Sequence, residues 1–444
     1  MVGAYGQGPM HRYLTVRTKF LTALVVSTAW MSLSIALSWP WIMDLSTHIG
    51  LFLAVYFVVF IAIVPGFINA FVVTAMVLDK RPKRQQPSEY PSLTILVPAY
   101  NEETVIEDTL TSLIRQDYPA PLRILVINDG STDGTARVVR QLQPQSAQLE
   151  LINLDQNIGK AEALNLGLAE TTTELVVTVD ADCWIRADGI RHLAERYLSD
   201  PVTTRAVAGT ILIRNSRANW LTKAQEWDYF LGIAAIKRIQ SLFQGTLVAQ
   251  GAFSIYDKQA VLEVGGWPKT VGEDIVLTWR LLAKGHRIGH ASDACAFTLC
   301  PTTLGQFIRQ RQRWSRGLIE AFKDSPRLII KGRFSSLFIV WNAIFPLMDI
   351  AYTFGFIPGL IMACFGHYWI VGPMTLALIP PAIIFNQVMY RSEVKMFAAE
   401  HMTIRKNRLG FLTYTVLYSL ILQPACVYGY FSEIFRFNKT WGTK

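Results

Sequence analysis

The chain has 444 residues, with 42 Lys and Arg against 33 Asp and Glu, giving a formal net charge of +9. Apolar residues make up 51% of it and charged residues only 17%, below the roughly 25% of an ordinary soluble protein. The deficit is local: residues 20–78, 334–390 and 410–432 together hold two formal charges, Asp44 and Asp349, and the rest is as charged as a soluble domain. A wholly soluble enzyme, a disordered or fibrous chain and a pure membrane bundle are thereby excluded.

Residues 20–78 supply apolar sequence for two membrane helices of about 20 residues each. The polar group Asp44, Ser46, Thr47 and His48 breaks them into a hairpin. Arg12, Arg17 and Lys19 in residues 1–19, and Lys80, Arg81, Lys83 and Arg84 after the second helix, place both ends on the cytoplasmic side. A cleaved signal peptide is the competing reading; the long first run and the second run directly behind it argue against that.

A soluble segment, residues 79–325, follows. Leu93 to Val97 reads as a buried strand, Glu103 to Ile114 as a helix, Ile124 to Ile127 as a strand and Thr132 to Leu142 as a helix. Leu149 to Leu154, Ala161 to Ala169 and Leu175 to Val179 continue the alternation. The spacing predicts an α/β domain with a mostly parallel sheet and helices on both faces. Ligands of such sheets bind at the carboxyl ends of the strands. Here those ends read Pro98-Ala99-Tyr100-Asn101-Glu102-Glu103, Asn128-Asp129-Gly130-Ser131-Thr132-Asp133-Gly134 and Asp180-Ala181-Asp182. One acidic turn is common, because Asp and Gly favour turns; three at successive strand ends point to a site.

Asp180 and Asp182, two residues apart at a strand end, can both reach one hard cation whose open positions take substrate phosphates; the alternative is a solvated turn. Lys160 follows the Gly159 turn at a helix start, where it can receive an anion or a base carbonyl. Glu273 and Asp274 open an amphipathic helix, where acids are favoured by the helix dipole or serve as a general base at the rim of a pocket. The last soluble element, residues 302–323, carries Arg309, Arg311, Arg313 and Arg316 among Leu304, Phe307, Ile308, Trp314 and Leu318. It is either an interfacial helix or a diphosphate clamp beside a sugar-stacking indole.

After it, residues 334–363, 368–390 and 410–432 are each long enough to span, giving a C-terminal membrane region over 334–434 and a tail over 435–444. The basic link 391–409 belongs on the cytoplasmic side, which leaves the basic tail on the wrong side unless a crossing or re-entrant segment lies near Asn342, Pro346 and Asp349. The five cysteines form no CxxC pair, so neither a zinc site nor a disulfide framework is expected. The basic residues cluster at membrane-flanking ends, which favours anionic headgroups and a nucleotide phosphate over nucleic acid.

The ordered set Val97 to Glu103, Asn128 to Asp133, Gly159-Lys160-Ala161, Asp180-Ala181-Asp182, Gly272-Glu273-Asp274 and Gln310-x-x-Arg313-Trp314 resembles the processive, membrane-embedded members of glycosyltransferase family 2. These include the cellulose, hyaluronan, chitin-oligosaccharide and poly-β-1,6-N-acetylglucosamine synthases. The resemblance implies a GT-A fold between N- and C-terminal transmembrane helices, and a UDP-sugar donor. It implies that Tyr100, Glu102, Asp129, Lys160, Asp180 and Arg313 bind the nucleotide sugar, that Asp182 holds Mg²⁺ or Mn²⁺, and that Asp274 is the general base of an inverting displacement. Gln310, Trp314, Glu273 and Gly251 would meet the acceptor. It further implies a multi-pass protein of the inner membrane with its catalytic domain in the cytoplasm, a growing polysaccharide as acceptor, and small membrane or export subunits as possible partners. The sequence departs from the family in reading Gly272 where cellulose and poly-N-acetylglucosamine synthases typically have Thr, a form closer to the chitin-oligosaccharide type. A non-processive enzyme acting on a lipid acceptor and a silent membrane scaffold are the alternatives.

Overall fold

The computed structural model describes residues 14–80, 84–399 and 401–437. Arg12, Arg81 and Lys83, and the tail's Lys439 and Lys444, lie outside the described residues. The chain opens with helix α1 (Val16–Ile49), turns at Gly50, and returns through α2 (Leu51–Val58) and α3 (Val64–Val77), joined by one π-helical turn. Lys19 is buried at the foot of this hairpin and donates to the carbonyl of Lys80 at 2.8 Å, closing its base.

The soluble segment is one eight-stranded mixed sheet. Its first half is β1 (Leu93–Ala99), α4 (Ile106–Ile114), β2 (Leu122–Asn128), α5 (Thr135–Leu142), β3 (Leu149–Asn153), α6 (Lys160–Ala169) and β4 (Leu175–Val179). These strands lie parallel in the order β3-β2-β1-β4. The second half is β5 (Trp184–Ile185), α7 (Gly189–Ser199), β6 (Thr204–Ile213), α8 (Trp220–Trp227), α9 (Ile236–Leu242), β7 (Phe253–Asp257), α10 (Lys258–Glu263), α11 (Glu273–Lys284) and β8 (Arg287–Thr298). There β7 is antiparallel to both β4 and β6, β6 and β8 are parallel, and β5 closes the edge antiparallel to β8. The sheet is thus parallel only where βαβ units build it, and β7 reverses the direction.

Alternate strand residues feed two cores. Ile95 and Val97, Ile124 and Val126, and Val177 and Val179 face α4, α5 and α7 on one side. Leu96, Leu125, Ile127 and Val176 face α6, α9 and α11 on the other. Helices on opposite faces make the chain reverse between β1 and β4, which is where such sheets open a ligand crevice. The second core does not stop at the domain: Ala23, Phe71, Val72 and Met76 of the hairpin and Phe338 and Trp341 of a later helix belong to it. The sheet domain and the apolar helices therefore share one packed interior.

Helix α12 (Leu304–Asp324) ends the soluble segment. Then come α13 (Phe334–Ala351), a π-helical turn, α14 (Ile357–Cys364), α15 (Pro373–Leu376), α16 (Ile379–Ala399), α17 (Arg408–Val416) and α18 (Tyr418–Ile434). Three helical stretches among the described residues are long and apolar enough to cross a membrane: 16–49, 51–77 and 334–364. A fourth arises if α17 and α18, bent by 51°, count as one broken span. Two expectations change. The helix through Asn342, Pro346 and Asp349 is unbroken, and the discontinuity falls at Leu417 instead. The apolar run 368–390 is not one helix, since α16 starts at Ile379 and continues through Arg391 and Lys395 of the basic link. Asn342 donates to the carbonyl of Phe338 at 2.8 Å and Asp349 accepts from Tyr430 at 2.8 Å, so both polar groups are satisfied within the helices.

Candidate active site

The loops after β1 and β2 clasp each other. Asn101, at a left-handed φ of 56°, takes the Thr132 amide on its side-chain oxygen at 2.8 Å and gives its own amide to Ser131 at 2.9 Å. The Glu102 amide donates to Thr135 at 2.9 Å, which fixes the turn that carries Glu102 and the half-exposed Tyr100. Asp129 is buried, and its two carboxylate oxygens accept the backbone amides of Ile158 at 2.7 Å and Gly159 at 2.9 Å. Both oxygens are engaged by the loop that starts α6, so the geometry makes Asp129 a brace for the lysine that follows.

That lysine, Lys160, lies 2.5 Å from Asp180 and 3.3 Å from Glu273. Burial disfavours its charge, but Asp180 and Glu273 outweigh this and raise its pKa above the ordinary value, so it is a fixed cation. Glu273 is buried and its carboxyl is pushed upward, first by burial and then by Asp274, with Lys160 and Arg313 opposing. Asp274 turns back onto the loop before β7: its Oδ1 accepts from the Ile275 amide at 2.7 Å and its Oδ2 from the Gly251 amide at 3.4 Å. A β-carbon on Gly251 would fall 3.0 Å from Lys160 Nζ, so a larger residue there would crowd the lysine.

Asp182 lies two residues beyond Asp180 and accepts from the Thr298 hydroxyl at 3.1 Å. Burial, and then the charges of Asp180 and Glu102, raise its pKa. Among the described residues no group of three or more His, Cys, Asp or Glu side chains is arranged to hold a metal ion by itself. The donor set nevertheless fits a hard divalent cation, because crowded carboxylates are relieved by one and phosphate oxygens can complete its shell.

Helix α11 meets α12 backbone to backbone. A β-carbon on Gly272 would fall 2.6 Å from the Cα of Gly317, and the Gly272 amide donates to Glu320 at 3.0 Å. The departure at Gly272 thus has a steric role: it lets the helix bearing Asp274 sit directly on the helix bearing Gln310, Arg313 and Trp314. Gln310 is buried with its side-chain oxygen unpartnered by any described protein group. Trp314 is 38% exposed and its ring lies 6.1 Å from Tyr229.

The structure therefore joins Lys160 to Asp180 and Glu273, and Asp274 to the Gly251 loop, by direct contact; Arg313 acts on Glu273, and Asp180 and Glu102 on Asp182, through their charge. Two contributors were illegible in the sequence. Thr298 lies far from the motifs in an unremarkable strand. Arg311 was one of four arginines; it stacks over Trp314 at 4.3 Å and pairs with Asp228 at 2.8 Å, tying α12 to the helix after β6.

The acidic strand ends thus meet at the β1/β4 reversal, where a sheet of this kind opens its ligand crevice. Residues 94–265, within the soluble segment, match the model of Glycosyl transferase family 2, and the domain has the GT-A fold. Over 241 residues, 54% of the chain, it is 35% identical to the poly-beta-1,6-N-acetyl-D-glucosamine synthase of Staphylococcus aureus, covering 57% of that protein. It is 32% identical over 258 residues, 58% of the chain, to the synthase of the same name from Staphylococcus epidermidis, covering 62% of it. The match thus spans little more than half the length of these relatives. Among solved structures, the mannosyltransferase PcManGT of Pyrobaculum calidifontis, in complex with GDP-Man and Mn2+, superposes with a TM-score of 0.57 at 19% identity. That match covers 92% of this chain and 100% of that one, and the likeness is one of fold.

Proposed function

We propose that this protein is a processive, inverting β-glycosyltransferase of the inner membrane that polymerises UDP-N-acetylglucosamine and passes the product across the bilayer. The observation that carries the reading is the Lys160, Asp180, Glu273 and Asp274 cluster at the sheet reversal, in a domain related to poly-N-acetylglucosamine synthases. Its core, shared with the apolar helices, supports a transfer site built against the membrane.

In this reading Tyr100, Glu102 and the Asp129-braced loop receive the uridine, while Lys160 and Asp180 orient the sugar diphosphate. Asp274 accepts the proton of an acceptor hydroxyl as that oxygen attacks the anomeric carbon, so an α-linked donor gives a β linkage. Arg313 offsets charge developing on the departing UDP. A Mg²⁺ or Mn²⁺ ion held by Asp182 would add Lewis-acid stabilisation to the same leaving group. Gln310, Trp314, Glu273 and the Gly251 loop line the acceptor side, where an indole can stack on a sugar face. The hairpin and the C-terminal helices carry the bilayer crossings, with the sheet domain on the cytoplasmic side, and small export subunits are partners for the emerging chain.

The test is to incubate the detergent-solubilised chain with UDP-sugars and Mg²⁺ or Mn²⁺ and to size the product. A long β-linked polymer from UDP-N-acetylglucosamine is expected; a single sugar added to lipid refutes processivity, and no turnover refutes the activity. Asp274→Asn should bind UDP normally and lose transfer by roughly a hundredfold or more, the usual loss of a general base. Residual transfer near wild type would remove Asp274 from that role.

A further inference from the structure

A lysine that the transfer chemistry above does not use lies beside Asp274. Lys237 stands on α9, which continues α8 through a π-helical stretch, Asp228–Ala235. Its side chain is partly buried, and its ammonium donates to Oε1 of Gln250. The Gln250 amide cannot turn away. Its Nε2 donates to the carbonyls of Gly209 at 2.6 Å and Phe253 at 3.2 Å, which leaves Oε1 facing the lysine. The next residue, Gly251, gives its amide to Asp274. Ammonium, amide, loop and carboxylate therefore form one connected chain.

The surroundings of Lys237 hold no carboxylate partner for it among the described residues. Asp180 and Glu273 are taken by Lys160. Arg238, next in sequence, turns to Asp79 at 2.6 Å and Glu393 at 3.1 Å on the membrane side. His290, on the neighbouring strand β8, is bonded to the Ala208 carbonyl. Asp274 is the one charge that acts on Lys237. A buried ammonium with three donors and a single neutral partner is costly to a fold, and such costs concentrate at functional sites.

We infer that Lys237 is a positioning residue for the transfer step: anchored on the Gln250 amide, its ammonium holds the Gln250-Gly251 loop against Asp274 and places a positive charge beside that carboxylate. The inference rests on Asp274 being the base. It also predicts a pH dependence. Burial lowers the Lys237 pKa to about 8, with Asp274 opposing, so the charged form that braces the loop is present below that pH and is lost as pH rises through it.

The experiment measures kcat, donor KM and UDP affinity of the full chain in detergent with UDP-N-acetylglucosamine and Mn²⁺, from neutral to alkaline pH. In the wild type kcat should fall on the alkaline side with an apparent pKa near 8. Lys237→Arg, charged throughout, should move that fall to higher pH. Lys237→Met should lower kcat roughly tenfold to a hundredfold with donor KM unchanged and the alkaline fall gone, as expected on losing a supporting partner of a reacting group. Wild-type kcat and an unchanged alkaline fall in Lys237→Met would overturn the inference while leaving the proposed function intact. If Lys237→Met loses UDP binding as well, Lys237→Gln decides, because it can still hydrogen-bond Gln250 without charge: wild-type kcat there overturns the role of the charge, and a reduced kcat with normal UDP affinity supports it. No transfer by the wild type with any UDP-sugar would instead bring down the reading of Asp274, and this inference with it.

Discussion

Asp129→Ala tests whether the side of the site proposed to receive the nucleotide is built as the structure has it. The side chain is 3% exposed and accepts two consecutive amides, from Ile158 and Gly159. Alanine removes both acceptors and strands two half-buried N–H groups. Each stranded donor costs about 1–3 kcal/mol, so the loop should lose roughly 2–6 kcal/mol, less whatever water recovers. The effect reaches the site because Lys160 is the next residue, and its contacts with Asp180 and Glu273 hold only while the loop does. UDP affinity should therefore drop at least tenfold, equivalent to about 1.4 kcal/mol. Asp129→Asn keeps one acceptor oxygen, turns an NH₂ toward the other amide, and should lose about half as much. Thermal melting with and without UDP, together with calorimetric UDP titration in detergent, measures both effects. An Asp129→Ala protein that melts and binds UDP like the wild type would refute the reasoning, since the two amides would then not depend on this carboxylate.

Two further variants probe how the helices behind the site are held. Gly317→Ala places a β-carbon 2.8 Å from the Cα of Gly272, and overpacking of this kind costs about 1–3 kcal/mol. It should push α11 off α12 and lower kcat more than it raises donor KM; steady-state kinetics with an unchanged kcat would contradict it. Arg311→Gln leaves Asp228 buried without its cation and should destabilise the protein by about 3–5 kcal/mol, read as a lower melting midpoint in detergent. An unshifted midpoint would mean that Tyr418, which donates to Asp228 at 3.0 Å, satisfies it alone.

Much of the half proposed to bind the nucleotide was legible because it is built locally. Each βαβ unit writes its own periodicity, and the residues at a strand's carboxyl end follow the strand in sequence, so Tyr100, Glu102, Asp129, Asp180 and Asp182 could be placed without contacts. The half proposed to meet the acceptor was less legible. Gln250 lies in an irregular loop that matches the family only loosely, and Thr298 and Arg311 come from a strand end and a helix where their types carry no signal outside the assembled site. Hydropathy likewise marked where apolar runs lie but not their breaks, so the bend at Leu417 and the extension of α16 through Arg391 escaped it.

By itself, then, the sequence determined that a charged α/β domain sits between apolar helical segments, that acidic turns end its first strands, and that a lysine heads the helix before β4, because composition and short-range period are properties of consecutive residues. Only the tertiary structure decided that Asp129 spends both oxygens on the loop amides, that Gly272 and Gly317 let two helices touch, that Lys237 reaches the loop holding Asp274, and that one core runs from the sheet into the hairpin. Each of these is a contact between residues distant in the chain, and its energy depends on what packing leaves room for or deprives of water.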